Sequence, residues 1–468
     1  TLSEGTVILT IRDPDITTIG DMNLTEERVR EAPFVGCKSL LRVDLKGCTK
    51  LTSVGNFVFG GCFSLTSVVL PDSLTQIGQS AFARCSSLTS VVFPDSFTQI
   101  DYQAFTDCSS LTSVVLPDSL TQLGDAAFAR CSSLTSVVFP DSLTQLGEQA
   151  FQQCSSLTSV TLPDGLTQLG HNVFYKCSSL TSVALPNGLT QLDYGVFEGC
   201  SSLTSVALPD GLTQLSVALP DGLTQMGDRV FRGCFSLTSV ALPDGLTQLG
   251  DAAFARCSSL TSVVLPDSLA QLGEQAFSYC SSLMSVVLPD SLTKLGMGAF
   301  GECTSLTSVV LPDSLTQLGI GAFGGCTSLT SVVLPDSLAQ LGNQAFAECT
   351  SLTSVVLPDS AELGDDVFLE CDALVQKAAL AGFDSVELYL RDRYKSITLR
   401  KLVLRLLRKY NQAVNNADGT EAEKHACALA QFPADNSGSL EIGLFLQKMS
   451  ISGGDGVIGL VGYILKFV

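Results

Sequence analysis

A unit of 23 residues repeated in tandem constrains this chain more than any other feature, and its cleanest copy, Cys131 to Gln153, reads CSSLTSVVFPDSLTQLGEQAFQQ. Copies run from about residue 37 to residue 371 of 468. A chain of this length ordinarily divides into several domains. A fixed internal period overrides that expectation, because a stacked array grows coil by coil without separate cores. Cysteine marks the period at Cys37, Cys62, Cys85, Cys108, Cys131, Cys154, Cys177, Cys200, Cys234, Cys257, Cys280, Cys303, Cys326, Cys349 and Cys371. Eleven of the intervals are 23 residues; the exceptions are 25 at the start, 22 at the end and 34 between Cys200 and Cys234.

Each unit divides into recognisable pieces. Ser90-Val91-Val92-Phe93 alternates around a β-branched core and predicts a short strand with Val91 and Phe93 inward and Ser90 and Val92 outward. Leu116-Pro117-Asp118-Ser119, or Leu162-Pro163-Asp164-Gly165, places Pro and then Ser or Gly where a type I turn takes them, and so ends the strand. Leu-Thr-Gln-Leu-Gly then supplies two more inward leucines. Ala127-Phe128-Ala129-Arg130-Cys131 spaces its apolar residues like one helical turn. One unit cannot close a core. Stacked units can, with columns of Leu, Val, Phe and Cys packed against their neighbours and each buried Phe or Leu contributing about 1.5–3 kcal/mol.

The pattern LxxVxLPxxLxxLGxxAFxxCxx resembles the leucine-rich repeats of the BspA-like type, found in bacterial surface proteins and in protists. The resemblance covers about residues 37–371. It implies a right-handed solenoid with a parallel β-sheet on a concave face and short turns or helices on the convex face. It also implies adhesion or protein interaction rather than catalysis. It does not extend to residues 372–468.

Three regions depart from the rule. Residues 1–36 read as an N-terminal capping coil: Val7 to Ile11 suits a strand, Ile19-Gly20 stands where later copies have Leu-Gly, and Thr25 with Glu26-Glu27 reads as a helix start. Residues 205–215, SVALPDGLTQL, are followed at once by 216–226, SVALPDGLTQM, an 11-residue duplication that lacks the Phe and Cys segment. It cannot make a full turn, so one copy is expected to bulge or the stack to kink. From 372 to 468 the pattern predicts a mostly helical C-terminal domain. Leu399, Leu402, Val403, Leu406, Leu407 and Tyr410 form one apolar helical face, and Arg400, Lys401, Arg405, Arg408 and Lys409 lie off it. Asp384-Ser385-Val386-Glu387 opens another helix by a capping-box-like pattern, and Glu421 to Phe432 suits a third. The last apolar run, 456–468, is too short to span a bilayer. It suits core packing, a partner surface or peripheral contact with a membrane.

Composition narrows the functions. Lys and Arg number 26 against 46 Asp and Glu, a net charge of −20. The excess acid lies in residues 1–371, so nucleic acid is an unsuitable partner and a protein surface suits better. One Cys per repeat is neither a disulfide framework nor a CxxC zinc pattern. Buried, small apolar thiols are the expected reading. The only His are His171 and His425, in unrelated regions, and no phosphate loop, nucleophile elbow or paired-carboxylate spacing appears. No enzyme, cofactor or metal is therefore expected. The Asp ladder, Asp72 to Asp359, is a thin ligand set for a cation and suits its turns better. With no signal peptide, no 18-residue apolar run and a chain given from Thr1, the compartment is open, an intracellular or organellar setting being favoured over the cell surface.

The outward strand row is the expected working surface: Val92, Val115 and Val138, then Thr161, Ala184, Ala207 and Ala241, then Val264, Val287 and Val310. Over the Thr and Ala block the turn Ser gives way to Gly, from Gly165 to Gly245. This predicts an apolar, hydroxylated concave face that is more open in its middle. An exposed stripe of Val suits an interaction surface; copying of a good β-former by duplication would leave the same stripe. The favoured reading is a noncatalytic protein-interaction scaffold within a larger assembly, docked through the basic residues of the C-terminal domain. The alternative is a secreted or surface adhesin that binds host or matrix proteins.

Overall fold

The computed structural model describes residues 7–21, 32–207, 217–219, 221–358 and 360–394. The chain forms two compact units, one of residues 1–282 with 295–300 and one of residues 283–294 with 301–468. Both are built from the same coil, whose three walls are each a ladder of parallel backbone contacts.

The first wall carries the three-residue strands of the SVV type. In the larger unit Ser113–Val115 pairs in parallel with Ser136–Val138, and Ser159–Thr161 with Ser182–Ala184, each in register so that equivalent residues face one another. A 23-residue spacing leaves no other register that keeps Val114, Val137, Val160 and Val183 buried, since a one-residue slip would turn each outward. The second wall carries the Gln-Leu pairs. Seven of its strands form one sheet from Thr18–Ile19 to Gln168–Leu169, with the apolar member inward each time. In the smaller unit Ser331–Val333 pairs with Ser354–Val356, and Gln340–Leu341 lies between Gln317–Leu318 and Glu362–Leu363.

The third wall differs from the sequence expectation. The Ala-Phe-x-x-Cys segments are hydrogen-bonded turns, and between residues 32 and 371 the described residues contain no helix. In the coil of Phe128, alternate N–H groups reach the next coil: Ala126 donates to Glu148 O at 2.7 Å, Phe128 to Ala150 O at 2.9 Å and Arg130 to Gln152 O at 2.7 Å. The N–H groups between them close local turns, Ala127 to Gly124 O and Ala129 to Ala126 O. An α-helix would use all of these donors internally. Alternation requires left-handed backbone at two positions per coil, here Ala126 at φ 51° and Arg130 at φ 59°. Such a conformation costs an L-residue about 1–2 kcal/mol, which the added ladder offsets.

Between the walls the phenylalanines stack. Phe105 and Phe128 lie 5.3 Å apart between centroids and 4° from parallel, and Phe128 and Phe151 lie 5.6 Å apart. The same stacking runs from Phe34 to Phe300 in the larger unit and from Phe323 to Phe368 in the smaller. Offset aromatic pairs add about 0.5–1.5 kcal/mol each beyond the area they bury.

The duplication at 205–226 enters on one wall. On the second wall Gln191–Leu192 pairs directly with Gln225–Met226. On the third, Phe197 donates to Val230 O at 2.9 Å, and its ring stacks on Phe231 at 5.5 Å. The first wall instead holds two strands in this interval: Ser205–Ala207, paired with Ser182–Ala184, and Val217–Ala218, paired with Val240–Ala241. One wall thus carries a rung that the other two lack. Side chains tie the joined coils together, with Arg232 Nη1 2.6 Å from Glu198 Oε1 and the Arg229 guanidinium bonded to the Tyr194 hydroxyl.

At the ends, Val7–Thr10 pairs in parallel with Leu40–Asp44, and the helix expected from Thr25 falls outside the described residues. After Cys371 come two helices, α1 (Asp372–Leu380) and α2 (Val386–Tyr394). Helix α1 buries Leu374 and Ala378 against the last coil, where Ala373 donates to Thr350 O at 3.3 Å. The Ser385 hydroxyl accepts from the Leu388 N–H at 3.2 Å and caps α2. The helices expected at 399–410 and 421–432 and the apolar run 456–468 lie outside the described residues.

The turn serines explain the one systematic substitution. Ser119 Oγ donates to Phe97 O at 2.6 Å and Ser142 Oγ to Leu120 O at 2.8 Å, each reaching the preceding coil. The glycines that replace them have room for the same group: a Cβ at Gly188 would lie 3.6 Å from Asp164 O and 3.7 Å from Leu166 O. Gly188→Ser should therefore restore the bond to Leu166 O and reduce chain entropy in the unfolded state, a gain of about 0.5–1.5 kcal/mol. The midpoint of urea unfolding should rise accordingly.

Candidate functional site

The outward row of the first wall is placed by alternation. Val91, Val114 and Val137 point into the core, so the residues that follow them point out. Val92 is 78% exposed, Val115 63%, Val138 55% and Val264 69%. Thr161 and Ala241 are exposed, while Ala184, Val287 and Val310 are half-buried. Ala207 stands in a described strand, but its side chain is not among those described. The register brings Val92, Val115, Val138 and Thr161 to successive coils of the larger unit, a distance of about 4.8 Å from strand to strand.

Hydroxyl groups beside the row are less available than the sequence suggests. Thr135 Oγ1 donates to Thr112 O at 3.0 Å and Thr181 Oγ1 to Thr158 O at 2.9 Å, each holding the preceding coil. The threonine donors serve the stack, and the row presents mainly valine methyls with Ser113 and Ser136 between them. Asp95, Asp118 and Asp141 are exposed three residues beyond each Val and form a parallel acidic border.

The smaller unit treats the equivalent position differently. There α2 packs against strand Ser354–Val356, and Val356 is only 6% exposed. Tyr389 and Leu390 of α2 are buried, and Arg391 Nη2 donates to Ala361 O at 3.2 Å. The signal for this contact was in the sequence, in the cap at Ser385 followed by Val386, Tyr389 and Leu390 at helical spacing. What the sequence could not say is which strand the stripe meets.

A second feature went unread. Over the second wall of the larger unit lies a polar groove of about 660 Å³, lined by Gln99, Gln122, Gln145 and Gln168 with Asp125 and Glu148. The Asp125 carboxylate accepts the Glu148 N–H at 2.8 Å, so it is in part a structural cap. Its sequence signal is the outward Gln of every Leu-Thr-Gln-Leu.

The cysteine column is more than small apolar filler. Cys131 Sγ donates to Phe105 O at 3.3 Å, Cys154 Sγ to Phe128 O at 3.2 Å and, across the duplication, Cys234 Sγ to Phe197 O at 3.3 Å. The thiol is a second donor to a buried carbonyl that already closes the turn of its own coil, as Phe128 O also accepts the Cys131 N–H at 3.4 Å. Burial pushes the thiols of Cys108, Cys154, Cys200 and Cys257 up to about 12. They remain protonated and unreactive at neutral pH.

The ring of His171 packs edge-on to Tyr194 at 6.4 Å. Among the described residues no three His, Cys, Asp or Glu group to hold a metal ion, and no helix is long and apolar enough to cross a membrane. Arg400, Lys401, Arg405, Arg408, Lys409 and His425 lie outside the described residues.

The fold and its repeated coil define a leucine-rich-repeat solenoid. The model of the BspA type leucine rich repeat region matches residues 19–134, 122–219, 214–303 and 270–387, and the chain belongs to that family. A leucine-rich repeat protein from Bacteroides ovatus is similar at 26% identity and a TM-score of 0.60, over 81% of this chain and 90% of that one. A leucine rich cell surface protein from Faecalibacterium prausnitzii is 25% identical over 74% of this chain and 86% of its own, with a TM-score of 0.45. No curated protein matches the chain.

The thiol pKa values carry a pH dependence. Thiols with folded pKa values above the unfolded value of 9.0 stabilise the fold fully below pH 9, and that stability is lost as pH rises toward 12. Between those limits each such thiol removes about 1.4 kcal/mol per pH unit. Unfolding midpoints should fall steeply above pH 9, and iodoacetamide at pH 8 should label the buried thiols of Cys108, Cys154, Cys200 and Cys257 only after denaturation. Cys154→Ser should keep the bond to Phe128 O, and Cys154→Val should lose it at a further cost of about 0.5–1.5 kcal/mol, since Phe128 O keeps the Cys131 N–H.

Proposed function

We propose that this chain is a noncatalytic protein-interaction scaffold whose outward first-wall row binds a protein partner. One observation carries the reading: Val92, Val115, Val138 and Val264, of one residue type at one position of the repeat, stand 55–78% exposed on stacked coils. Exposed apolar groups cost little singly, but a contiguous stripe on a stacked, inflexible wall is the kind of surface that partners bury. The support matters as much as the stripe. Each Val is held by a neighbouring strand on the stack, so little backbone freedom is lost when a partner binds.

Charge supports the same reading. A net charge of −20, with Asp95, Asp118 and Asp141 along one border of the row, favours a partner with an electropositive rim and repels nucleic acid. The leucine-rich-repeat family supplies the general role of protein interaction. The C-terminal region after α2 is proposed to dock the solenoid within an assembly through Arg400, Lys401, Arg405, Arg408 and Lys409. Its basic residues contrast with the acidic array.

The test compares affinity-tagged wild type with Val115→Asp in native extracts. The substitution places a charge on an outward position and leaves the core untouched, so melting should be unchanged within about 0.5 kcal/mol. Partners recovered with wild type should be depleted with the variant. A chain that runs as a partnerless monomer, or variants that recover partners equally, would overturn the proposal.

A further inference from the structure

The scaffold reading leaves open what kind of surface the Val row receives, and the chain carries an instance of its own. In the smaller unit the equivalent rung, Ser354–Val356, is covered by α2, and both Ser354 and Val356 are buried. The apolar stripe of that helix is Val386, Tyr389 and Leu390, at i, i+3 and i+4, of which Tyr389 and Leu390 are buried, with Arg391 beside it. The larger unit exposes the same residue types at the same strand position, bordered by an acidic row.

The geometry points to an amphipathic α-helix of a partner protein as the ligand of Val92, Val115 and Val138. The helix lies across the strands, along the row. It sets one aliphatic or aromatic residue on each rung and turns Arg or Lys toward Asp95, Asp118 and Asp141. This inference rests on the scaffold reading and narrows it to a class of partner.

Periodicity distinguishes a helix from the other common occupant, an extended peptide. A helix advances about 5.4 Å per turn and the rungs are about 4.8 Å apart, a mismatch of only about 0.6 Å per rung. Three rungs can therefore each meet a residue of one stripe. An extended strand returns to the same face every second residue, about 6.6 Å, and loses register by nearly 2 Å per rung. Adding a strand by backbone pairing is also unsuited to this face. Ser113–Val115 is already paired in register with Ser136–Val138, and Ser90 bridges both Ser67 and Ser113, so the face offers mainly side chains.

Where the Val row gives way to Thr161 and Ala184, smaller side chains leave more space above the wall. A larger stripe residue such as Tyr or Phe fits there, and Leu or Val fits over Val92 to Val138. The acidic border sets the direction in which the basic flank faces, and its contribution falls with ionic strength.

The test uses the full chain and a fluorescein-labelled synthetic helix of about four turns. Its stripe repeats the Val, Tyr and Leu of α2, with Arg and Lys on one flank. A control peptide of identical composition has the stripe scattered. Anisotropy should show binding of the striped peptide alone. Val115→Asp should weaken it at least about tenfold, equivalent to about 1.4 kcal/mol. The triple variant Asp95→Asn, Asp118→Asn, Asp141→Asn should bind less tightly at low salt and show a flatter salt dependence, and thermal melts should confirm that both variants fold. Equal binding by the two peptides, or binding indifferent to Val115→Asp, would sink the helix assignment. If Val115→Asp depletes native partners while the striped peptide does not bind, the partner class is wrong and the scaffold reading stands. If neither changes, both fall.

Discussion

Coil-on-coil stacking at the spacing of a parallel sheet is the constraint from which the rest of this structure follows. Each coil must present matching backbone groups to its neighbour on all three walls, and each wall solves this differently. The first and second use short strands. The third alternates local turns with rungs to the next coil, which requires left-handed backbone at residues such as Ala126 and Arg130. Close approach on the second wall explains a glycine as well: a Cβ at Gly250 would lie 2.4 Å from the backbone of Gly227.

Inside this frame the two most periodic residues act as a pair across coils. Phe stacks on the Phe of the next coil, and Cys donates its thiol to the carbonyl of a Phe one coil back. That carbonyl also closes the turn of its own coil, as Phe128 O does with the Cys131 N–H, so the Cys column and the Phe column belong to one device. This accounts for a thiol in every coil without invoking metal, disulfide or redox chemistry. It also explains how the chain tolerates the duplication at 205–226. Phe197 and Phe231 stack, and Cys234 reaches Phe197 O, as though the intervening half-coil were not there. The added strand is confined to the first wall, away from the Phe and Cys segments of the third.

The proposed function rests on what the stack leaves over. The inward columns are occupied by packing and the threonine hydroxyls by neighbouring carbonyls. The outward valines, the acidic border and the Gln-lined groove of the second wall remain. Of these, the Val row has a covered counterpart in the same chain, at Val356 beneath α2. That contact gives the row a chemical reading that exposure alone would not.

The repeat period, the inward Leu, Val, Phe and Cys columns and most strand and turn positions were legible in the sequence; the strand expected at Ser90–Phe93 is reduced to a single bridge at Ser90. In a stacked array each coil contacts mainly its neighbours, so a local pattern and a period together define the packing. The cap of α2 at Ser385 was legible for the same reason, being local. Tertiary structure alone decided the rest. The Ala-Phe-x-x-Cys segment has helical spacing but forms turns, because its N–H groups are claimed by the next coil. The duplication adds a rung to one wall, because the other two close across it through contacts 33 or more residues apart in sequence, such as Phe197 with Val230 and Arg232 with Glu198. Likewise, α2 covers Val356 while Val92 stays open, because which helix meets which strand depends on where the chain turns after its last coil. Sequence period determined the coil; contacts between distant coils, which no local pattern encodes, determined how it is interrupted and covered.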